Sequence, residues 1–201
     1  MKKETINKFR RDLKKGKALI GGWMQIPNPS IAEIISSADY SWIAFDFEHG
    51  SFSIGDLPNL LRAVELNNKL PIVRLPNKNL EIRNQILDAG CPGLVIPNIK
   101  NEIELRSIIK SCYYPPDGTR GVGYSRANLF GKKFKVKSEK PIIIAMIENI
   151  YSVNRLEKIL SVKGLDAILI GPYDLSASMG ITGKFKNLKF KSIIKKINKL
   201  S

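Results

Sequence analysis

Six short apolar runs recur along this chain, each followed by a polar stretch with helical spacing, and that alternation constrains the fold more than any other feature. It is the signature of parallel βα units. The predicted strands are Ala18 to Met24, Trp42 to Phe47, Pro71 to Leu75, Gly93 to Pro97, Pro141 to Ile147 and Ala167 to Ile170. They are apolar nearly end to end rather than alternating, so both faces of the sheet should be buried. Helices are predicted at Ile31 to Ser37, Leu57 to Leu66, Leu80 to Ala89, Glu102 to Ser111 and Val153 to Leu160, with Asn79 and Ser152 as N-caps. A last amphipathic helix spans Phe185 to Leu200. The Pro-, Gly- and Lys-rich stretch from Tyr113 to Lys140 reads as an extended loop, and long loops in compact domains commonly carry function.

A length of 201 residues suits one core-bearing domain over residues 1–201. No apolar stretch approaches the roughly 20 residues of a membrane span. The segment Met1 to Lys17 has no apolar h-region, so it does not read as a secretory signal. A cytoplasmic protein without a membrane partner is expected. Cys91 and Cys112 lie far apart with no metal-ligand spacing and are expected to be reduced and structural. The formal charge of +15 raises the question of a polyanionic partner. The lysines, however, concentrate at Lys2 to Lys17 and Lys184 to Lys199, on the polar sides of amphipathic helices, and form no known nucleic-acid-binding motif. No nucleic-acid partner is expected.

Parallel α/β folds gather their functional groups where strand C-termini meet the following loops. Strand two ends in Asp46, Glu48 and His49, strand three in Arg74, strand five in Glu148, and strand six in Gly171, Pro172 and Asp174. His49 is the only histidine, the one residue type that ordinarily exchanges protons near neutrality; it serves as an acid/base group or simply packs and caps a loop. Glu148 and Asp174 form a pair of hard oxygen donors suited to Mg2+ or Mn2+, unless Asp174 caps the following helix and Glu148 is solvated. Arg74 in an apolar strand requires an anion, either Asp46, Asp88 or a substrate carboxylate. Asp88 sits late in a helix, where an acid opposes the macrodipole. It either orients the histidine or is a satisfied buried acid.

Ordered segments carry a resemblance. They are Trp23 with Glu33, Trp42-Ile-Ala-Phe-Asp-Phe-Glu-His49, Val73-Arg-Leu-Pro76, Leu87-Asp-Ala-Gly-Cys-Pro-Gly-Leu-Val-Ile-Pro97, Tyr114-Pro-Pro-Asp-Gly-Thr-Arg-Gly121, Arg126-Ala127, Met146-Ile-Glu148 and Ile170-Gly-Pro-Tyr-Asp-Leu-Ser176. From about residue 18 to residue 183 the chain resembles the HpcH/HpaI aldolase family of class II pyruvate aldolases and citrate-lyase-like relatives. The resemblance implies an α/β fold of the (β/α)8 TIM-barrel type. About six βα units are present, so the barrel is expected to be incomplete, lacking its last two units. A six-stranded sheet leaves two edges, so a homo-oligomer or a closing partner is expected.

The resemblance also implies the chemistry. Glu148 and Asp174 would hold a divalent cation, Mg2+ or Mn2+ with Co2+ as the alternative, chelated by a 2-keto acid. Arg74 would face the keto or enolate oxygen, His49 oriented by Asp88 would be the acid/base group, and Trp23, Gly171 and Pro172 would line the substrate. The implied activity is a carbon–carbon lyase that cleaves a 4-hydroxy-2-keto acid to pyruvate and an aldehyde. A catalytically inactive remnant, or a subunit that needs a partner to close the barrel, is the alternative.

Overall fold

The computed structural model describes residues 3–132 and 140–201. The lysine-rich end of the expected loop, 133–139, lies outside the described residues. The elements run α1 (Lys3–Lys14), β1 (Gly21–Met24), α2 (Pro29–Ser37), β2 (Trp42–Asp46), α3 (Leu57–Leu66), β3 (Leu70–Arg74), α4 (Leu80–Asp88), β4 (Gly93–Ile96), α5 (Glu102–Cys112), β5 (Ile142–Ile147), α6 (Ile150–Asn154), α7 (Leu156–Leu160), β6 (Ala167–Ile170), α8 (Pro172–Ser178) and α9 (Leu188–Leu200). The strands form one sheet in the sequential order β1-β2-β3-β4-β5-β6. That is the order expected when each βα unit lays its strand beside the one before.

The chain divides into two compact units, Met1–Leu94 with Ser111–Ile142, and Val95–Lys110 with Ile143–Ser201. In the first unit β1, β2 and β3 pair in parallel, in a register that sets Phe45 beside Val73 and Asp46 beside Arg74. Helices α2 and α3 pack on each other and cover these strands, burying Ala32, Leu57, Leu60, Leu61 and Val64. Side chains of this size each contribute about 1.5–3 kcal/mol on leaving water. In the second unit β5 and β6 pair in parallel from Ile144–Ala167 to Ile147–Ile170.

The expectation of strands buried on both faces holds in the middle of the sheet, where β3 and β4 are buried throughout. It fails at the edges. Strand β1 alternates, and every residue of β6 is half-buried, because each has a neighbour on one side only.

Helix ends follow local side chains. Asn79 caps α4 as expected, accepting from the Glu81 and Ile82 N–H groups at 2.7 and 3.2 Å. The single helix expected at Val153 to Leu160 is instead two short ones meeting at Arg155. Its start is corrected as well. Asn149, not Ser152, is the cap; Ser152 is buried in the first turn and donates its N–H to Asn149 Oδ1 at 2.9 Å. The terminal helix begins at Leu188, after Asn187 accepts from the Lys189 N–H at 2.8 Å. The long loop contains a 3-10 turn at Arg126–Asn128. No described helix is long and apolar enough to cross a membrane.

Candidate active site

The register of the first unit creates its most concentrated polar group. Because Asp46 and Arg74 are neighbours on adjacent parallel strands, their side chains lie together at the strand ends. Arg74 grips Asp46 with both prongs of its fork, Nε to Oδ1 at 2.8 Å and Nη2 to Oδ2 at 2.6 Å. Trp23 Nε1 and Gln25 Nε2, from the end of β1 and the residue after it, donate to Oδ2 at 3.1 and 3.2 Å. The backbone N–H groups of Glu48 and His49 both donate to Oδ1 at 3.1 Å. Arg74 Nη1 also meets Glu48 Oε2 at 3.1 Å, and the guanidinium lies 5.4 Å from the Trp23 ring centre. Of the anions weighed for Arg74, the one it binds here is Asp46.

Burial alone would raise the Asp46 pKa. The hydrogen bonds from Arg74, the His49 N–H, Trp23 and Gln25 outweigh it and hold this carboxyl well below the usual carboxylate range. A pKa lowered on folding stabilises the folded state fully above the unfolded value of about 3.9, and that stability is lost as pH falls toward the folded value. Unfolding by urea should therefore become easier from about pH 5 downward. Asp46→Asn should flatten this dependence and cost about 3 kcal/mol at neutral pH, because it leaves the buried Arg74 with Glu48 alone as counter-charge. A variant that kept the wild-type pH slope would show that other acids dominate the effect.

His49 lies exposed in the turn after β2. The backbone bond to Asp46 fixes its position, and its imidazole makes no hydrogen bond to another described residue. Asp88, the last residue of α4, is not the group that orients it within this chain. Its carboxylate is bound by Nη2 of the buried Arg120, which in turn stacks at 4.4 Å over Tyr114. The arginine answers the problem of an acid at a helix C-terminus by supplying a cation. Sequence reasoning missed Arg120 in this role, although the segment carrying it stood among the matched motifs. It also missed Asp46 as the hub, for want of the strand register.

In the second unit Glu148 follows β5 directly and is only 7% exposed. Its Oε1 accepts the N–H of Asn98, a residue in the left-handed region (φ 50°) that asparagine tolerates better than most. Asn149 holds the same turn by donating to Asn98 Oδ1 and the Ile99 carbonyl at 3.1 and 3.2 Å. Gly171, the residue after β6, is buried against Glu148. A Cβ at 171 would stand 2.9 Å from both Glu148 Cβ and Oε2 and 3.2 Å from Met146 Cε. Pro172 opens α8 at the surface, and Gly171 occupies the cap position, so Asp174 is not the cap. It stands exposed in the first turn, where the helix dipole favours a negative charge, and its carboxylate has no partner among the described residues.

These residues fit a hard divalent cation. Glu148 presents a buried carboxylate whose surroundings are cleared of a Cβ at Gly171, and Asp174 offers an uncommitted one. Among the described residues no cluster of three or more His, Cys, Asp or Glu side chains could hold a metal. Gly171→Ala should push the Glu148 carboxylate aside and weaken Mn2+ binding measured by calorimetry while leaving the fold intact. Unchanged affinity would show that the tight contact has no bearing on a metal.

The cysteines take no part. Burial pushes the Cys91 thiol up to about 12 and the Cys112 thiol up to about 11, so both stay protonated.

The model of the family described as HpcH/HpaI aldolase/citrate lyase matches residues 19–200. The chain belongs to this family. It is 32% identical over 202 residues to a hydroxypyruvate/pyruvate aldolase of Roseobacter denitrificans, covering 98% of this chain and 79% of that protein. It is 35% identical over 182 residues to a 4-hydroxy-2-oxovalerate aldolase of Novosphingobium aromaticivorans, covering 89% and 70%. Its structure is similar to that of an HpcH/HpaI aldolase/citrate lyase family protein from Burkholderia cenocepacia, with a TM-score of 0.89 at 28% identity over 95% of this chain and 79% of that one. The six parallel βα units are accordingly those of an incomplete TIM-type barrel.

Proposed function

We propose that this member of the HpcH/HpaI family is a divalent-metal-dependent aldolase that cleaves a 4-hydroxy-2-keto acid to pyruvate and an aldehyde. The observation that carries the reading is the placement of His49, Arg74, Glu148 and Asp174, each at or just past the C-terminal end of its strand, in a chain similar to pyruvate and hydroxypyruvate aldolases.

His49 takes the proton from the C4 hydroxyl. The C3–C4 bond then breaks, the aldehyde leaves, and the bonding pair moves through C2 onto the keto oxygen as an enolate. The proton that His49 took is then delivered to C3 through water, which gives pyruvate and restores the neutral imidazole. Arg74 faces the oxygen where charge develops; Asp46 and Glu48 occupy its Nε and one donor on each of Nη1 and Nη2, so the remaining N–H groups are already oriented. Glu148 and Asp174 would hold Mg2+ or Mn2+, with Co2+ as the alternative, and such an ion would supply Lewis acidity to the reaction. Trp23, packed edge-on to Trp42 at 6.5 Å and 39% exposed, would offer the substrate an apolar surface.

The test is pyruvate release from a panel of 4-hydroxy-2-keto acids with and without Mn2+ or Mg2+. Metal-dependent release that EDTA abolishes is expected. Absence of release from protein shown to be folded and metal-bound would favour the catalytically inactive alternative.

A further inference from the structure

Within the second unit, the turn that carries Glu148 is tied to the segments on both sides of it by three consecutive residues. Glu148 accepts the N–H of Asn98, after β4. Asn149 uses its whole amide. Its Oδ1 caps α6 by accepting the Ser152 N–H at 2.9 Å, while Nδ2 donates to Asn98 Oδ1 and the Ile99 carbonyl at 3.1 and 3.2 Å. Aspartate or serine would cap α6 as well, so capping alone does not call for an asparagine. Ile150, the first residue of α6, donates its N–H to Ser178 Oγ at 3.1 Å, and that hydroxyl donates in turn to the Leu175 carbonyl at 2.8 Å. Water could satisfy this N–H at an exposed helix start, so helix formation does not require the bond to Ser178.

Ser178 stands one turn along α8 from Asp174, on the same helix face. Helix α8 starts at Gly171 without a side-chain cap, and Asp174 lies beyond the last register pair of β5 and β6, Ile147 with Ile170. The sheet alone therefore does not fix where α8 holds this carboxylate. We infer that Asn149 and Ser178 are positioning residues, a brace that holds the Glu148 turn and α8 at one spacing and so sets which cation the two carboxylates accept. The inference rests on the reading of Glu148 and Asp174 as metal ligands. Both residues act through those carboxylates and not on the ion itself. A fixed spacing favours Mg2+, which demands near-ideal octahedral geometry with short bonds, over Ca2+, which accepts a looser and more variable oxygen shell.

The test is calorimetric titration of the full chain with Mg2+ and with Ca2+, alongside unfolding in urea. Ser178→Ala, at an exposed site, and Asn149→Ser, which keeps a capping hydroxyl for α6, should each weaken Mg2+ binding by about tenfold, the low end of what groups behind a ligand contribute. Ca2+ binding should change by less than about twofold. Ser178→Thr keeps the hydroxyl and should restore Mg2+ binding, with the same urea midpoint as Ser178→Ala. Undiminished Mg2+ affinity in Ser178→Ala or Asn149→Ser, or equal losses for Mg2+ and Ca2+, would overturn the brace. Glu148→Ala tells this apart from a wrong ligand assignment. If it loses Mg2+ while the other two variants keep it, the brace alone is wrong; if it binds as the unaltered chain does, or if the unaltered chain binds neither ion, the ligand assignment falls and the brace with it.

Discussion

Glu148→Ala is expected to abolish divalent-cation binding and, with it, metal-dependent pyruvate release. The argument rests on how this carboxylate is held. It lies buried past the end of β5, with one oxygen fixed by the Asn98 N–H and the other 2.9 Å from where a Cβ at Gly171 would stand. A preorganised carboxylate of this kind binds a hard cation without first having to be ordered. Removing it leaves only Asp174, exposed on the first turn of α8, of the two proposed ligands. Affinity for Mn2+ should fall by more than about 100-fold, since even changes to the groups behind a ligand cost 10–100-fold. Glu148→Gln should lose nearly as much, because an amide keeps the shape but not the charge. Titration calorimetry with Mn2+ reads the result directly. Tight binding in the alanine variant would remove the metal assignment and leave the barrel-end placement without its cofactor.

The features legible in the sequence were those that depend on a few adjacent residues. Asn79 before Leu80 announced a cap, and the apolar runs marked all six strands to within about three residues, the usual uncertainty of such boundaries. What stayed hidden depends on partners far apart in the chain. Arg74 visibly needed an anion, but only the β2–β3 register shows that Asp46 lies beside it rather than Asp88. Asp88 visibly needed a role, and its partner Arg120 comes from a loop 32 residues on, whose path no periodicity reveals. The cap at Asn149 was readable and was overlooked because Ser152 also fits the N-cap preference. The half-buried β6 is a different case. Its composition matches a central strand, and its exposure follows from having a neighbour on one side only, which is a property of the sheet and not of the segment.

His49→Ala separates chemistry from architecture more cleanly than any other substitution in this chain. The contact that ties residue 49 to the Asp46 hub is a backbone N–H, which alanine retains, and the imidazole is exposed with no hydrogen bond to another described residue. Folding stability should therefore change by no more than about 0.5 kcal/mol, the range of ordinary surface substitutions. Mn2+ affinity should also be unchanged, because both assigned ligands lie elsewhere. Turnover, in contrast, should drop by about 100- to 10,000-fold, the usual contribution of a positioned acid/base group, with little change in KM. Stability by urea titration, metal affinity by calorimetry and pyruvate release on one preparation distinguish the outcomes. A loss of turnover alone identifies the proton-transfer group. A loss of stability as well would make His49 a structural residue, and wild-type turnover in the variant would move the acid/base role to a water or to another side chain.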